Sequence, residues 1–400
     1  MPCLVPSVYV DRSTAHPSNA TNLLGAGNLV ARLGTHVVDH LGDPQCCEPS
    51  SVFETARHDS SSPYRQERTQ SGDRVRRHLS DQYTPSPVSA SDGILVTGGA
   101  GFVGATLVRR LVATGYRVRV LDNFSTGDPS HLAGVDAELV KGDICNAAAL
   151  DDAIEGMRAV IHLAAAGSVI GSVQDPVMNF EVNVLGTFNV LDAARRAGVE
   201  RVVLASTGGA LIGDAAPPVD ERSLPKPISP YGASKLAGEG YAHAFAKTYG
   251  VRTVAVRFGN VYGPWCARKR GVLNVFFESI HSGVPLIIYG DGTASRDYVH
   301  VDDISNALQL ALEKHVPGGA VLHAASGVET SVTDLAELCR RAAGVPGHPL
   351  EYRPKRAGEV GRNFASYGLA NQMLGYAPAV TVEAGIPRTW QWFEENVFRN

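Results

Sequence analysis

Tyr231 and Lys235 lie four residues apart in the run Pro230-Tyr231-Gly232-Ala233-Ser234-Lys235. On a helix that spacing sets both side chains on one face. A phenol serves as a general base when its pKa comes near 7. A neighbouring ammonium and a cationic nicotinamide ring would bring it down. Upstream, Ser206 and Thr207 close an apolar run that begins at Arg201. Hydroxyls at the carboxyl end of a strand stand where doubly wound folds bind their ligands. Tyr-x-x-x-Lys alone is common on surface helices. Joined to a hydroxyl cluster and a dinucleotide fingerprint, it marks an acid–base site.

The fingerprint is Ile94–Asp122, ILVTGGAGFVGATLVRRLVATGYRVRVLD. Ile94-Leu95-Val96 predicts a buried parallel strand. Gly98, Gly101 and Gly104 follow, and Val103, Leu107, Leu111 and Val112 then recur at helical spacing. Val118 and Val120 open a second strand ending on Asp122. The glycine turn would bring backbone N–H groups, at Phe102 and Val103 among others, to a pyrophosphate, and the helix N-terminus adds partial positive charge. Asp122 lies 18 residues beyond Gly104. There it would bind both ribose hydroxyls and repel a 2′-phosphate, which predicts NAD rather than NADP.

The elements that must position these groups alternate in the same way. Strands are predicted at Ala137–Lys141, Ala159–Leu163, Arg201–Ser206, Thr253–Arg257 and Ala320–Ala324. After the third strand, Asp143 suits the exocyclic amine of an adenine and Ile144 its ring, or Asp143 caps a helix over Asn146–Ile154. The fourth strand ends in His162-Leu163-Ala164-Ala165, where small residues let a cofactor lie against the backbone; His162 reads as a packed residue. A helix from about Pro176 to Ala197 carries Asn183 among apolar neighbours, which suits a hydrogen-bonding task near the site. Asp302-Asp303 is expected to cap a helix, and Leu335–Ala343 and Pro387–Phe398 read as helices. Arg296 and Arg356, in loops, read either as surface charges or as a pair that could clamp a diphosphate by bidentate bonds.

The bulk numbers bound the class. The chain has 400 residues, 44% of them hydrophobic, and a net charge of −4 with a pI near 6.4. No basic field for nucleic acid is present, and no apolar run approaches the ~20 residues of a membrane span. The N-terminus lacks the pattern of a secretory signal. The six cysteines form no CxxC and no zinc-site spacing, which suits ordinary thiols in the cytoplasm and no metal. Residues 1–92 are rich in Ser, Pro, His, Arg and Asp and read as a disordered extension, with one weak amphipathic helix over Asn22–His40.

TGGAGFVG, DNFSTG, GDI, HLAA, VNVLGTFNVL, YGASK, RFGNVYGP, GDGTASRDYVHVDD and RAGE occur in that order. Together they resemble the extended short-chain dehydrogenase/reductases of the NAD-dependent epimerase/dehydratase family. Within it the motifs look most like those of UDP-sugar epimerases, above all UDP-glucose 4-epimerase, over about Asp92–Asn400. The resemblance implies a doubly wound α/β fold with a parallel Rossmann sheet and a smaller C-terminal substrate-binding domain. NAD binding falls to residues 93–260, with 296–330 returning to that domain, and the substrate domain is built from 261–295 and 331–400.

The resemblance also implies roles. Tyr231 would take the sugar 4-OH proton while hydride passes from C4 to NAD and returns to the other face. Lys235 would hold the nicotinamide ribose, and Thr207 would bond the 4-oxygen with Ser206 beside it. Asn123, Leu163, Ala164, Ala165 and Asn183 would line the cofactor site; Asn260, Arg296 and Arg356 would hold the nucleotide-sugar phosphates. A homodimer through two helices per subunit is expected. Dehydratases of the family carry Asp-Glu directly after the active-site Thr, whereas Gly208 and Gly209 stand here, so loss of water lacks its general acid. UDP-N-acetylglucosamine or UDP-glucuronate 4-epimerases and UDP-glucuronate decarboxylases are the nearer alternatives, and a non-catalytic NAD-binding regulator the remote one. Ile212 replaces the usual VYG tyrosine, Ser366 the usual Asp, and Asn363 falls where the family tunes pocket size. CARKRGVLNVFF is unusually basic for the uridine loop.

Overall fold

The apolar runs of the sequence become the strands of one parallel sheet. The structure, a computed structural model, describes residues 88, 89, 91–355 and 361–399. The helix expected over 22–40, the rest of the N-terminal extension up to 87, and Arg356 lie outside the described residues. In chain order come β1 (Gly93–Thr97), α1 (Phe102–Ala113), β2 (Arg117–Asp122), β3 (Ala137–Lys141), α2 (Ala147–Ile154) and β4 (Ala159–His162). Next are α3 (Val169–Gln174), α4 (Pro176–Phe180), α5 (Gly186–Arg196), β5 (Arg201–Thr207), α6 (Gly209–Ile212), α7 (Pro230–Tyr249) and β6 (Arg252–Phe258). Then follow β7 (Asn260–Tyr262), α8 (Val272–His281), β8 (Leu286–Tyr289), β9 (Ser295–His300), α9 (Val301–Glu313) and β10 (Ala320–Ala324). The chain closes with β11 (Glu329–Ser331), α10 (Val332–Ala342), β12 (Leu350–Arg353), β13 (Arg362–Asn363), α11 (Gly368–Leu374) and α12 (Val382–Phe393).

The main sheet has the order β10-β6-β5-β4-β1-β2-β3, and every pairing in it is parallel. The central strands are covered on both faces, which is why β1 and β4 are apolar runs, whereas the edge strand β3 is mostly exposed. Ile94 and Val96 join the core on one face, with Leu107 and Leu308; Leu95 joins the other, with Leu150 and Val190. The strand order runs outward in both directions from β1, so the carboxyl ends of β1 and β4 flank the crevice at the switch point.

Beyond Tyr262 the alternation gives way to two small sheets. β9 pairs with β7, β11 and β13, and β8 pairs with β12. These elements share their own core around Phe276, Phe277, Ile386, Trp390 and Phe393. Among the described residues no helix is long and apolar enough to cross a membrane.

Four local expectations change. The helix over 176–197 is interrupted by a π-helical turn, Glu181–Leu185, between α4 and α5. Asn146, not Asp143, caps α2, accepting from the N–H groups of Ala148 and Ala149. His300 caps α9 through its ring, while Asp303 turns away to accept from Ala379 and Val380 N–H. Pro387 lies inside α12, which begins at Val382 behind a Thr381 cap. At the starts of α2, α9 and α12 a nearby polar side chain or ring takes the orphan N–H groups.

Candidate active site

The glycine turn is built by close approach. Gly98 has φ +72°, and a Cβ there would fall 2.6 Å from the Ala164 nitrogen. A Cβ on Gly104 would fall 2.3 Å from Gly98 O, whereas one on Gly101 would meet only that oxygen, at 3.2 Å. Gly101 is the N-cap of α1 and brings no side-chain cap; no acid stands in the first turn. The first N–H groups of α1, at Phe102 and Val103, therefore lack intrahelical partners and suit an anion. At the end of β2, Asp122 accepts from Ala100 N–H at 3.0 Å and Phe124 N–H at 2.8 Å. A bare, acid-free helix start beside a buried carboxylate fits a dinucleotide.

At the end of β3, Asp143 accepts from Cys145 N–H at 2.8 Å and from the Asn123 side chain at 2.8 Å. The Cys145 N–H above all holds its carboxyl below the usual range. Ile144 is buried, with its side chain against Gly186. After β4, Ala164 N–H donates to Thr97 Oγ1 at 3.3 Å. Asn183, in the π turn, accepts from Ala166 N–H at 2.8 Å and donates to Ala166 O and Ser234 Oγ, both at 3.1 Å. His162 is buried between Thr97 Oγ1 and Thr187 Oγ1, at 2.8 and 3.0 Å, as a packed residue.

Thr207 ends β5, and Tyr231 and Lys235 begin α7, which packs against that strand. The Lys235 ammonium donates to Ala205 O at 3.1 Å. Among the described residues neither Thr207 Oγ1 nor the Tyr231 phenol oxygen has a partner, so both are free for a ligand. Tyr231 N–H donates to Ser172 Oγ at 3.1 Å, which fixes the start of α7. Burial pushes the Tyr231 phenol up to about 12 and pulls Lys235 down to about 8, against the Glu239 carboxylate that favours the ammonium. In the protein alone burial is the one cause acting on the phenol, and the Lys235 ammonium is turned onto Ala205 O.

A second group of residues comes from the small sheets, and one of them, Asn363, reaches the end of β5. Asn260 is exposed on β7. Arg296, on β9, is half-buried and donates to Ser295 O at 2.7 Å and Gly361 O at 3.2 Å. Its register partner on β13 is Asn363. The Asn363 side chain lies 3.2 Å from where a Cβ on Gly209 would stand, two residues beyond Thr207. Arg268, in the basic loop, is largely exposed; it donates to Thr126 O at 3.1 Å and pairs with Asp128 in the loop after β2.

Sequence reasoning singled out Ser206 for the substrate; its hydroxyl is buried and donates to Glu239 at 2.6 Å. Glu239 and its partner Arg257 passed unnoticed, as did Asp297, which accepts from Ser326 and Gly327 N–H and ties them to β9. The one available signal was Glu239 itself, a further helical turn along the face of Tyr231 and Lys235.

The model of the NAD dependent epimerase/dehydratase family matches residues 94–325. The UDP-glucose 4-epimerase of Mycolicibacterium smegmatis is 39% identical over 307 residues, 75% of this chain and 97% of that one. The crystal structure of UDP-glucose 4-epimerase with UDP-glucose from Thermotoga maritima is 35% identical with a TM-score of 0.73, covering 76% of this chain and 99% of that one. That of the Thermus thermophilus UDP-glucose 4-epimerase complex with NAD is 36% identical with a TM-score of 0.70, covering 76% and 100%. A UDP-glucuronate 4-epimerase of Thermodesulfobacterium geofontis (30% identical, 76% of this chain and 96% of that one) and a dTDP-glucose 4,6-dehydratase of Streptomyces niveus (32%, 76% and 93%) also match.

Proposed function

The chain belongs to the NAD dependent epimerase/dehydratase family, and from that premise we propose that it interconverts UDP-glucose and UDP-galactose by transient oxidation at C4. One observation carries the reading: Thr207 ends β5, Tyr231 and Lys235 begin the helix packed against that strand, and positions 208 and 209 carry no acid. Dehydration would need a general acid there; epimerisation does not.

NAD, when bound, supplies an acceptor and donor of hydride. In this reading the Phe102 and Val103 N–H groups and Asp122 hold it, and Asp122 selects it over NADP. Tyr231 takes the 4-OH proton and later returns it, while Thr207 bonds the same oxygen. Lys235 would hold the nicotinamide ribose, and its charge would lower the phenol. Asn260, Arg296 and Arg356 hold the diphosphate. The cofactor part spans 93–260 with 296–330, and the substrate part 261–295 with 331–400. The enzyme works in the cytoplasm as a homodimer, supported by free cysteines at 145, 266 and 339 and by exposed apolar side chains on α3–α5 and α7.

A second choice of sugar has its own support. Asn363 is smaller than the tyrosine of that family position and stands beside Gly209, which leaves room for an N-acetyl group. Incubating the protein separately with UDP-galactose, UDP-N-acetylglucosamine and UDP-glucuronate, then separating products by chromatography, tests both. UDP-glucose from UDP-galactose is expected. Turnover of another sugar alone would reassign the substrate, and no turnover by NAD-loaded protein would reject the epimerase.

A further inference from the structure

Behind Thr207 lies a buried polar cluster to which the proposed chemistry gives no role. Register pairs Ser206 on β5 with Arg257 on β6, and Arg257 with His323 on β10, so the three share one face of the sheet. Glu239, one helical turn beyond Lys235 on α7, closes over this row. Its Oε1 accepts from Ser206 Oγ at 2.6 Å and Arg257 Nε at 2.9 Å, and its Oε2 from Arg257 Nη2 at 2.8 Å. Glu239 is 7% exposed and Arg257 4%.

A buried ion pair is poor value as a stabiliser, because desolvation offsets most of its attraction and apolar residues of similar volume often do as well. What this pair does have is position. α7 carries Tyr231 and Lys235, and β5 carries Thr207. Lys235 Nζ to Ala205 O at 3.1 Å ties them from one side. Bare Gly232 lies against Ala210 O, where a Cβ would fall 2.1 Å from the oxygen. If Lys235 leaves Ala205 to hold a ribose, the Ser206–Glu239 bond persists, and Arg257 braces the carboxylate from β6.

We propose that Glu239, clamped by Arg257, is a positioning residue: through Ser206 it fixes the carboxyl end of β5 against α7 and so sets Thr207 relative to Tyr231 and Lys235. The substrate in this inference rests on the epimerase reading; the contact does not. Misplacing reacting groups by about 1 Å costs about 10²-fold in rate, so the bond matters to turnover more than to binding.

The test compares Ser206→Ala, Glu239→Gln and the double variant, NAD-loaded, on UDP-galactose. Each single change should lower kcat by about 10- to 100-fold, with KM and bound NAD within about twofold. The double variant should be no worse than the poorer single, because both remove one contact. Ser206→Thr, which restores the hydroxyl, should recover most of the rate. Wild-type kcat in folded Ser206→Ala, or losses that multiply in the double, overturns the proposal. If Glu239→Gln does not fold, Ser206→Ala decides, because it leaves the Glu239–Arg257 pair intact. Wild-type protein inactive on every UDP-sugar faults the substrate reading alone. Amide hydrogen exchange then tests the contact: Ser206→Ala should speed exchange at 205–209 and 231–235 together, and unchanged exchange overturns it.

Discussion

Asn183 donates its side-chain amide to Ser234 Oγ at 3.1 Å, so the π-helical turn of one helix grips the residue before Lys235 on another. The same side chain takes both backbone groups of Ala166, just past the Leu163-Ala164-Ala165 segment. Wide turns of this kind recur at functional sites because they re-aim one side chain. Asn183→Ala would leave the half-buried Ala166 N–H without its partner and its C=O with the Asn179 amide alone. Urea unfolding should show a loss of about 1–3 kcal/mol, and NAD affinity should fall with it. Unchanged NAD affinity would show that the turn serves the fold alone.

Asp122 accepts two backbone N–H groups, and Gly127 folds against its carboxylate. Asp122→Asn leaves one oxygen for two donors. Its cost should be about 1–3 kcal/mol in unfolding. Removing the charge should also narrow the preference for NAD over NADP by about tenfold, which corresponds to about 1.4 kcal/mol. Calorimetric titration of both cofactors reads this; an unchanged ratio would move discrimination elsewhere.

His162 gives the fold an acid limit. Burial, and then the Lys235 charge, pulls its pKa from 6.5 to about 3. The unfolded chain therefore takes up the extra proton between pH 6.5 and 3, and stability falls as pH drops through that window. This group contributes about 1.4 kcal/mol per pH unit there. Gln at 162 can still serve Thr97 and Thr187 but does not titrate. The stability advantage of wild type over His162→Gln should shrink between pH 7 and pH 5 in urea unfolding; a constant gap would contradict it.

The proposed dimer has a visible face. Val173, Val177 and Phe180 are 64%, 65% and 58% exposed, and the Phe188 ring lies 5.4 Å from that of Tyr241, joining α5 to α7. Contiguous apolar surface of this kind marks an interaction site. Val177→Glu should yield a monomer in sedimentation where the wild type is a dimer, and a wild-type monomer would remove the dimer from the reading.

The central strands were legible because strands buried on both faces are written as apolar runs, as at Ile94–Val96 and Val202–Ala205; β2 and the edge strand β3 were legible from their place in the βα alternation. The glycine turn was legible because bare backbone admits only one residue type. β7, β11 and β13 are two or three residues long, and only their pairing with β9 makes them strands. Glu239 and Arg257 read as ordinary charges because their partners meet across the sheet rather than along the chain. The π turn leaves no mark in the apolar pattern, and the Tyr231 phenol depends on desolvation, which spacing does not report.

The most direct measurement incubates UDP-galactose with purified protein, without added NAD, beside Tyr231→Phe, and follows UDP-glucose by chromatography. Proton transfer by a positioned group contributes about 10²–10⁴-fold. Wild type should form UDP-glucose, and Tyr231→Phe should lose at least about 10²-fold of the rate while still carrying NAD. Interconversion at the wild-type rate by Tyr231→Phe, or none by wild type with NAD bound, would contradict the proposed 4-epimerase.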